Sequence, residues 1–234
     1  MRRKPKFYRF NDLGKIGGEI DYHIHTNWTD GQHSPREIIK QAKKLGINSI
    51  AFTEHVRKES TYFKDFYKEI DELRNNEDLE IFIGIETKVV NKQGDLDISR
   101  HDYDLAEIVL GSVHRILKDG SLVNIRDLEM KEAIQEELEY GLALVKGGKI
   151  DVLAHPAGMS LQGFNSFPTG YLEQLIRGIA KTEMAFELNP KYLNDEHLKK
   201  VIDLCVKYDP FISIGSDHHS KEMGSTKKVL EGIK

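Results

Sequence analysis

Residues 19–26 read Glu19-Ile20-Asp21-Tyr22-His23-Ile24-His25-Thr26. Side chains two apart on a strand share a face, so a strand here sends His23 and His25 the same way. Imidazole nitrogens suit zinc, manganese and iron. Two surface histidines on an edge strand are the competing picture. Comparable residues recur at later strand ends, which favours the metal.

Working outward, short β-branched or aliphatic runs fall at 19–25, 47–53, 81–90, 108–114, 150–155, 184–189 and 211–216. Several lack in/out alternation, as parallel strands covered on both faces do. Helical patterns fill the gaps. Ser34, Pro35 and Glu37 make a capping box with proline at the first helical position, and Gly46 closes that helix. Further helices are predicted at 127–145, after Thr169, and after Asn194, with weaker patterns at 62–73 and 223–233. Segments 91–104 and 156–168 read as long loops. Strand–helix repetition implies parallel neighbours with right-handed crossovers. The chain is expected to be α/β and a single domain over residues 1–234.

The candidate ligands choose the architecture. His23 and His25 end the first strand, His55 follows the second, and Glu86 lies late in the third. His114 ends the fourth, His155 the fifth, and Asp217 and His219 follow the seventh. An open sheet would spread these strands about 4.8 Å apart per step. A closed barrel gathers all the strand C-termini around one mouth. One shared site therefore predicts a seven-stranded (β/α)7 TIM-like barrel. With Asp30 the set numbers nine. A single ion takes about four to six ligands, so several metals are implied, and such clusters do hydrolytic chemistry.

Each residue has a plainer reading. Glu86 is a lone acid in Ile83-Gly84-Ile85-Glu86-Thr87. Buried carboxylates need partners, either a structural ion pair or metals that the carboxylate bridges. His114 and His155, each taken alone, fit hydrogen-bonded core histidines. Asp30 in Thr29-Asp30-Gly31 could be a turn residue. His218 is expected to point away from its two neighbours. His33 and His197 read as solvent-facing, Cys205 as core packing, and Trp28 as packing or a rim contact.

Composition narrows the class. The 234 residues are 39% apolar and 31% charged, with a net charge of −4. This offers no bulk attraction to anionic membranes and argues against long nucleic acid as a partner. One cysteine rules out an internal disulfide framework and fits a reducing compartment. No stretch matches a signal peptide or a membrane span, so a cytoplasmic location is expected. No glycine-rich phosphate loop is present.

The ordered set Asp21-Tyr22-His23-Ile24-His25-Thr26, Thr53-Glu54-His55, Glu86, His114, His155-Pro156 and Ser216-Asp217-His218-His219 resembles the PHP (polymerase and histidinol phosphatase) family. The resemblance runs from about Ile20 to about His219. It implies a distorted seven-stranded barrel with a trinuclear centre of zinc, manganese or iron. His23, His25, Glu86 and Asp217 would hold one metal. Glu86 would bridge to a second, completed by His114 and His155. Asp30, His55 and His219 would hold a third. Glu86, Asp217 and His219 would also act in catalysis. Members resembling histidinol phosphatases tend to carry histidine where this chain has Gly31. The Thr29-Asp30-Gly31 form looks more like the phosphoesterase and nuclease branches.

The expected activity is phosphomonoester hydrolysis by a metal-bridging hydroxide on a small phosphorylated substrate. Histidinol phosphate and small nucleotide or oligonucleotide diesters are the alternatives. Cationic partners for the phosphate are sought in Arg57, Arg115, Lys88 and Arg100, with Arg57 and Arg115 nearest the mouth. Two rivals remain. An amidohydrolase-like enzyme would usually place a lysine where His114 stands. A non-catalytic metal-binding module would be expected to have lost ligands.

Overall fold

The computed structural model describes residues 3–231, apart from 76, 119, 125, 126, 221, 224, 225, 228 and 230. A short strand β1 (Tyr8–Arg9) and a 3₁₀ turn (Phe10–Lys15) precede β2 (Glu19–Ile24). Then follow α1 (Pro35–Leu45), β3 (Ile47–His55), α2 (Phe63–Arg74), β4 (Glu80–Lys88), α3 (Arg100–Leu105) and β5 (Ile108–Ser112). A hairpin, β6 (Arg115–Lys118) with β7 (Ser121–Asn124), leads into α4 (Met130–Gly147) and β8 (Val152–Leu153). The chain continues through α5 (Gly158–Phe164), α6 (Thr169–Ile179), β9 (Ala185–Leu188), α7 (Asp195–Tyr208) and β10 (Phe211–Ile214).

The seven predicted strands form one sheet in the order β10-β9-β8-β5-β4-β3-β2, each parallel to its neighbour. β1 adds antiparallel to β10. No ladder joins β10 to β2 among the described residues. Past the end of β10, however, Ile24 forms a parallel bridge with His218. His25 N–H donates to the His218 carbonyl at 3.0 Å, and His218 N–H to the His23 carbonyl at 3.3 Å. The two sheet edges thus meet at the strand C-termini. The architecture is TIM-like α/β.

Local chemistry explains the elements. Ser34 and Glu37 form the reciprocal cap of α1, and Gly46 ends it at φ 76°, a left-handed conformation that glycine adopts without a Cβ penalty. Ile38, Ile39 and Ala42 turn to the core from α1; Phe63, Phe66 and Ile70 do so from α2. β3, β4 and β5 are buried almost throughout, as strands covered on both faces must be.

Three local elements depart from the reading. Segment 91–104 carries α3, capped by Ser99. Segment 156–168 carries α5, whose first amides are taken by a side chain from α4: Met159 N–H and Ser160 N–H each donate to Glu137 at 3.0 Å. Both helices are too short to show a helical period. The β6–β7 hairpin is likewise missed, because its four-residue strands sit mostly at the surface. The helix expected at 223–233 lies largely outside the described residues. No described helix is long and apolar enough to cross a membrane.

Candidate metal centre

The strand ends bring all nine candidate residues together. His23 and His25 are fully buried, and their Nε2 atoms lie 3.1 Å apart. The β3–β4 register sets His55 beside Glu86, with His55 Nδ1 3.0 Å from Glu86 Oε2. The other oxygen, Oε1, lies 3.0 Å from His155 Nε2 and 3.3 Å from His114 Nε2. Asp217 Oδ1 stands 3.6 Å from His23 Nε2, 3.5 Å from His25 Nε2 and 3.3 Å from His219 Nδ1. Asp30 spans His55 at 3.3 Å and His219 at 3.2 Å.

Three overlapping sets have donor atoms within 4.8 Å of one another: His25, Asp30, His55 and His219; His23, Glu86 and His155; and His23, His25 and Asp217. The family-implied sets differ: Glu86 falls outside the His23–His25–Asp217 group and His114 outside the Glu86–His155 group. His25 also reaches the Asp30 group, and His23 shares the Glu86–His155 group.

The donor chemistry fits cations. Glu86 Oε2 and His25 Nδ1 are buried with no hydrogen-bond partner among the described residues. Yet His23 and His25 Nε2 lie 3.5 Å from that Glu86 oxygen, and His55 Nδ1 lies at 3.0 Å. Ligands about 2.0–2.1 Å from a tetrahedral zinc stand about 3.3 Å apart, close to these separations. Leaving a buried carboxylate oxygen unpaired is costly, and a divalent ion removes that cost.

Electrostatics prepares the ligand forms. Burial raises the Glu86 carboxyl, but His114, His155, His23 and His55 outweigh it and hold Glu86 well below the usual range. Asp30 and Asp217 are also held low despite burial, the first by His219 and His55, the second chiefly by His25 and His23. Burial pushes His25 down to about 3 and His114 down to about 4. Burial also opposes charge on His55, but Asp30 and Glu86 lift it to about 10. A divalent cation would replace that proton.

Several supporting residues were not singled out from sequence. Asp21 accepts from Ser216 N at 2.9 Å and from Ser216 Oγ at 2.5 Å, tying β2 to the segment after β10. Glu54 accepts from Thr26 N at 2.7 Å and from Thr29 Oγ1, holding the turn that carries Asp30. Burial pushes both carboxyls up to about 7. Glu187 bonds His23 and the His155 amide. Lys191 and Tyr192 both donate to Asp217 Oδ2, at 2.6 and 2.7 Å. Glu187 carried a usable signal, since it is a lone acid in an apolar run just as Glu86 is.

The expected phosphate ligands separate. Arg57 is exposed two residues after His55, and Arg115 is exposed at the start of β6. Lys88 pairs with Asp97 at 3.0 Å. Arg100 bonds Asp104 at 2.7 Å and covers the Tyr103 ring; no described contact links it to the nine. A cavity of about 550 Å³ beside Asp217 and His219 is lined by Gln32, Lys191 and Ser220. His218 is buried through its bridge to Ile24. His197 is not solvent-facing as expected, because its ring stacks on Phe167 at 4.1 Å. Trp28 stacks on Tyr62 and donates to Glu69 at 2.7 Å.

The family model for the PHP domain matches residues 21–191. The chain belongs to the PHP family. It is 29% identical to the DNA polymerase/3'-5' exonuclease PolX of Bacillus subtilis over 91% of its own length, but spans only 36% of that protein. It is 23% identical to a probable phosphatase of Caldicellulosiruptor saccharolyticus, covering 91% of this chain and 87% of that one. A histidinol-phosphatase of Lactococcus lactis is 24% identical, covering 86% and 84%. The crystal structure of the Lactococcus lactis histidinol phosphate phosphatase, complexed with zinc, L-histidinol and phosphate, superposes at a TM-score of 0.76. That likeness covers 92% of each chain at 20% identity, and it shows that the fold is shared.

Proposed function

We propose that this PHP protein is a metal-dependent phosphomonoesterase with a trinuclear centre. The observation that carries the reading is Glu86. Its buried carboxylate meets His55 with one oxygen and His114 and His155 with the other, while Oε2 has no hydrogen-bond partner among the described residues. His23, His25, Glu86 and Asp217 would hold one cation; Glu86, His114 and His155 a second; Asp30, His55 and His219 a third. Bound zinc, manganese or iron would lower the pKa of water toward about 7 and neutralise phosphate charge.

The chain's own residues supply access and orientation. His23, His25 and Glu86 form a floor, with side chains at most 1% exposed. His55, His114 and His219 are 25%, 35% and 26% exposed, so the ester arrives over them. Lys191 and Tyr192 occupy Asp217 Oδ2 and leave Oδ1 facing the cluster. Lys191 lines the adjoining cavity, where its charge would receive a phosphate oxygen. Arg57 and Arg115, which follow His55 and His114 in the sequence, would be the other cations for the phosphate. The family's phosphatase relatives support a small phosphorylated substrate, and a single buried cysteine supports a cytoplasmic location.

The test begins with protein purified without chelator or metal-affinity tag. Its metals are quantified, and hydrolysis is followed on a panel of sugar, amino-alcohol and nucleotide phosphates and short oligonucleotides with zinc, manganese or iron. The expected result is metal-dependent phosphate release from a monoester. Hydrolysis confined to oligonucleotide diesters would replace the monoesterase reading. Fully metallated protein that cleaves no ester would overturn it.

A further inference from the structure

We propose that Glu187 is a positioning residue that presets two histidines of the centre while binding no metal itself. The inference rests on reading the cluster as a metal centre. Glu187 lies on β9, whose four residues are all buried, and its side chain is 0% exposed. Oε1 lies 2.7 Å from His23 Nδ1, and Oε2 lies 2.5 Å from the backbone N–H of His155. Asn189 Nδ2 adds a longer contact to Oε2 at 3.4 Å. Both oxygens are therefore engaged away from the cations.

Each contact has a consequence for the site. A carboxylate oxygen only accepts, so His23 must carry a proton on Nδ1. In the neutral ring Nε2 is then bare, and Nε2 is the atom that faces Glu86 and Asp217, at 3.5 and 3.6 Å. Glu187 thus selects the tautomer that can ligate. The second contact acts on the backbone. His155 has φ 29°, in the left-handed region that costs a non-glycine residue energy unless its surroundings hold it. Glu187 takes its N–H, and Gly158 N–H donates to its carbonyl at 2.8 Å. So held, His155 Nε2 reaches Glu86 Oε1 at 3.0 Å. One carboxylate thereby aligns ligands from β2 and from the end of β8. Carboxylates behind metal-bound histidines commonly do this, and losing them costs about 10- to 100-fold in metal affinity.

The discriminating variant is Glu187→Gln, which is nearly isosteric. Its amide offers one acceptor and one donor group, whereas both partners now donate, so either the His155 amide loses its bond or His23 gives up its Nδ1–H. Two readouts are used. Metal dissociation is measured by competition with a chromogenic chelator, first with zinc and then with manganese. Imidazole nitrogen NMR on zinc-loaded protein, where Nε2 cannot carry a proton while it binds metal, reports whether His23 keeps its Nδ1–H form. The expected result is about 10- to 100-fold weaker metal binding together with loss of the pure Nδ1–H form of His23. Wild-type affinity with an unchanged tautomer would overturn the proposal. If Glu187→Gln does not fold, Glu187→Asp keeps both acceptors but shortens their reach. It should also bind metal more weakly, and equal affinity would overturn the proposal. Neither readout needs substrate: a wild-type protein that binds metal but hydrolyses nothing would sink the phosphatase reading and leave this one standing.

Discussion

Lys191 places its ammonium 2.6 Å from Oδ2 of Asp217 and 3.2 Å from the Asp217 carbonyl. It is the only cationic side chain lining the cavity beside His219 among the described residues. A phosphate oxygen entering there would gain a charge-assisted bond. Such bonds are worth about 1.5–3 kcal/mol when shielded from water. Lys191 is 43% exposed, so the lower end applies. Lys191→Ala should raise KM for a phosphomonoester about 10-fold and leave metal stoichiometry unchanged. Saturation kinetics alongside metal analysis checks this, and an unaltered KM removes Lys191 from substrate binding.

Arg115 and Arg100 separate position from charge. Arg115 follows His114 directly and is exposed where β6 begins. Arg100 is held by Asp104 on α3, with its side chain 84% exposed. Arg115→Ala should raise KM several-fold with metal content intact. Arg100→Ala should leave both unchanged. Equal effects of the two substitutions would mean that only overall charge is being read.

Much of this is legible in the sequence alone, for identifiable reasons. Parallel strands buried on both faces leave unbroken apolar runs, so all seven were found. Ligands at strand ends are out of place in such runs, so His114, His155 and Glu86 stood out. Asp21 and Glu54 sat inside the recognised motifs, but nothing local shows that one ties Ser216 and the other the Thr26–Thr29 turn. Lys191 was hidden because its meaning depends on Asp217, 26 residues away. α5 was hidden because Glu137 on another helix stabilises its start. Both depend on contacts distant in sequence, which periodicity does not record.

Metal removal tests the cluster apart from any substrate. The apolar core from Phe10 through Val229 includes none of the nine ligands, so chelated protein should stay folded. Ions binding only the native state should nonetheless stabilise it, by about 2.7 kcal/mol at one hundred times the dissociation constant. For a chain of this length that raises Tm by about 5–10 °C. Thermal scans across a metal series should show Tm climbing with concentration, and chelation should abolish phosphate release until metal is restored. Identical melting with and without metal would mean that the nine residues do not bind it.

Gly215 tests how tightly the floor of the site is built. A Cβ there would stand 2.4 Å from Glu187 Oε1 and 2.4 Å from the Cβ of His23. Neither neighbour can yield easily, because β2 is in the sheet and Glu187 is held at both oxygens. Gly215→Ala should therefore cost about 1–3 kcal/mol, the usual range for overpacking, lowering Tm by about 2–4 °C for each kcal/mol. Because the displaced atoms belong to His23 and its partner, metal affinity should fall as well. Gly14→Ala is the control, since a Cβ at Gly14 meets nothing within 4 Å. Thermal unfolding and chelator competition on the two variants decide the matter. If Gly215→Ala keeps both wild-type Tm and metal affinity, the close approach of β10, Glu187 and His23 does not constrain the site.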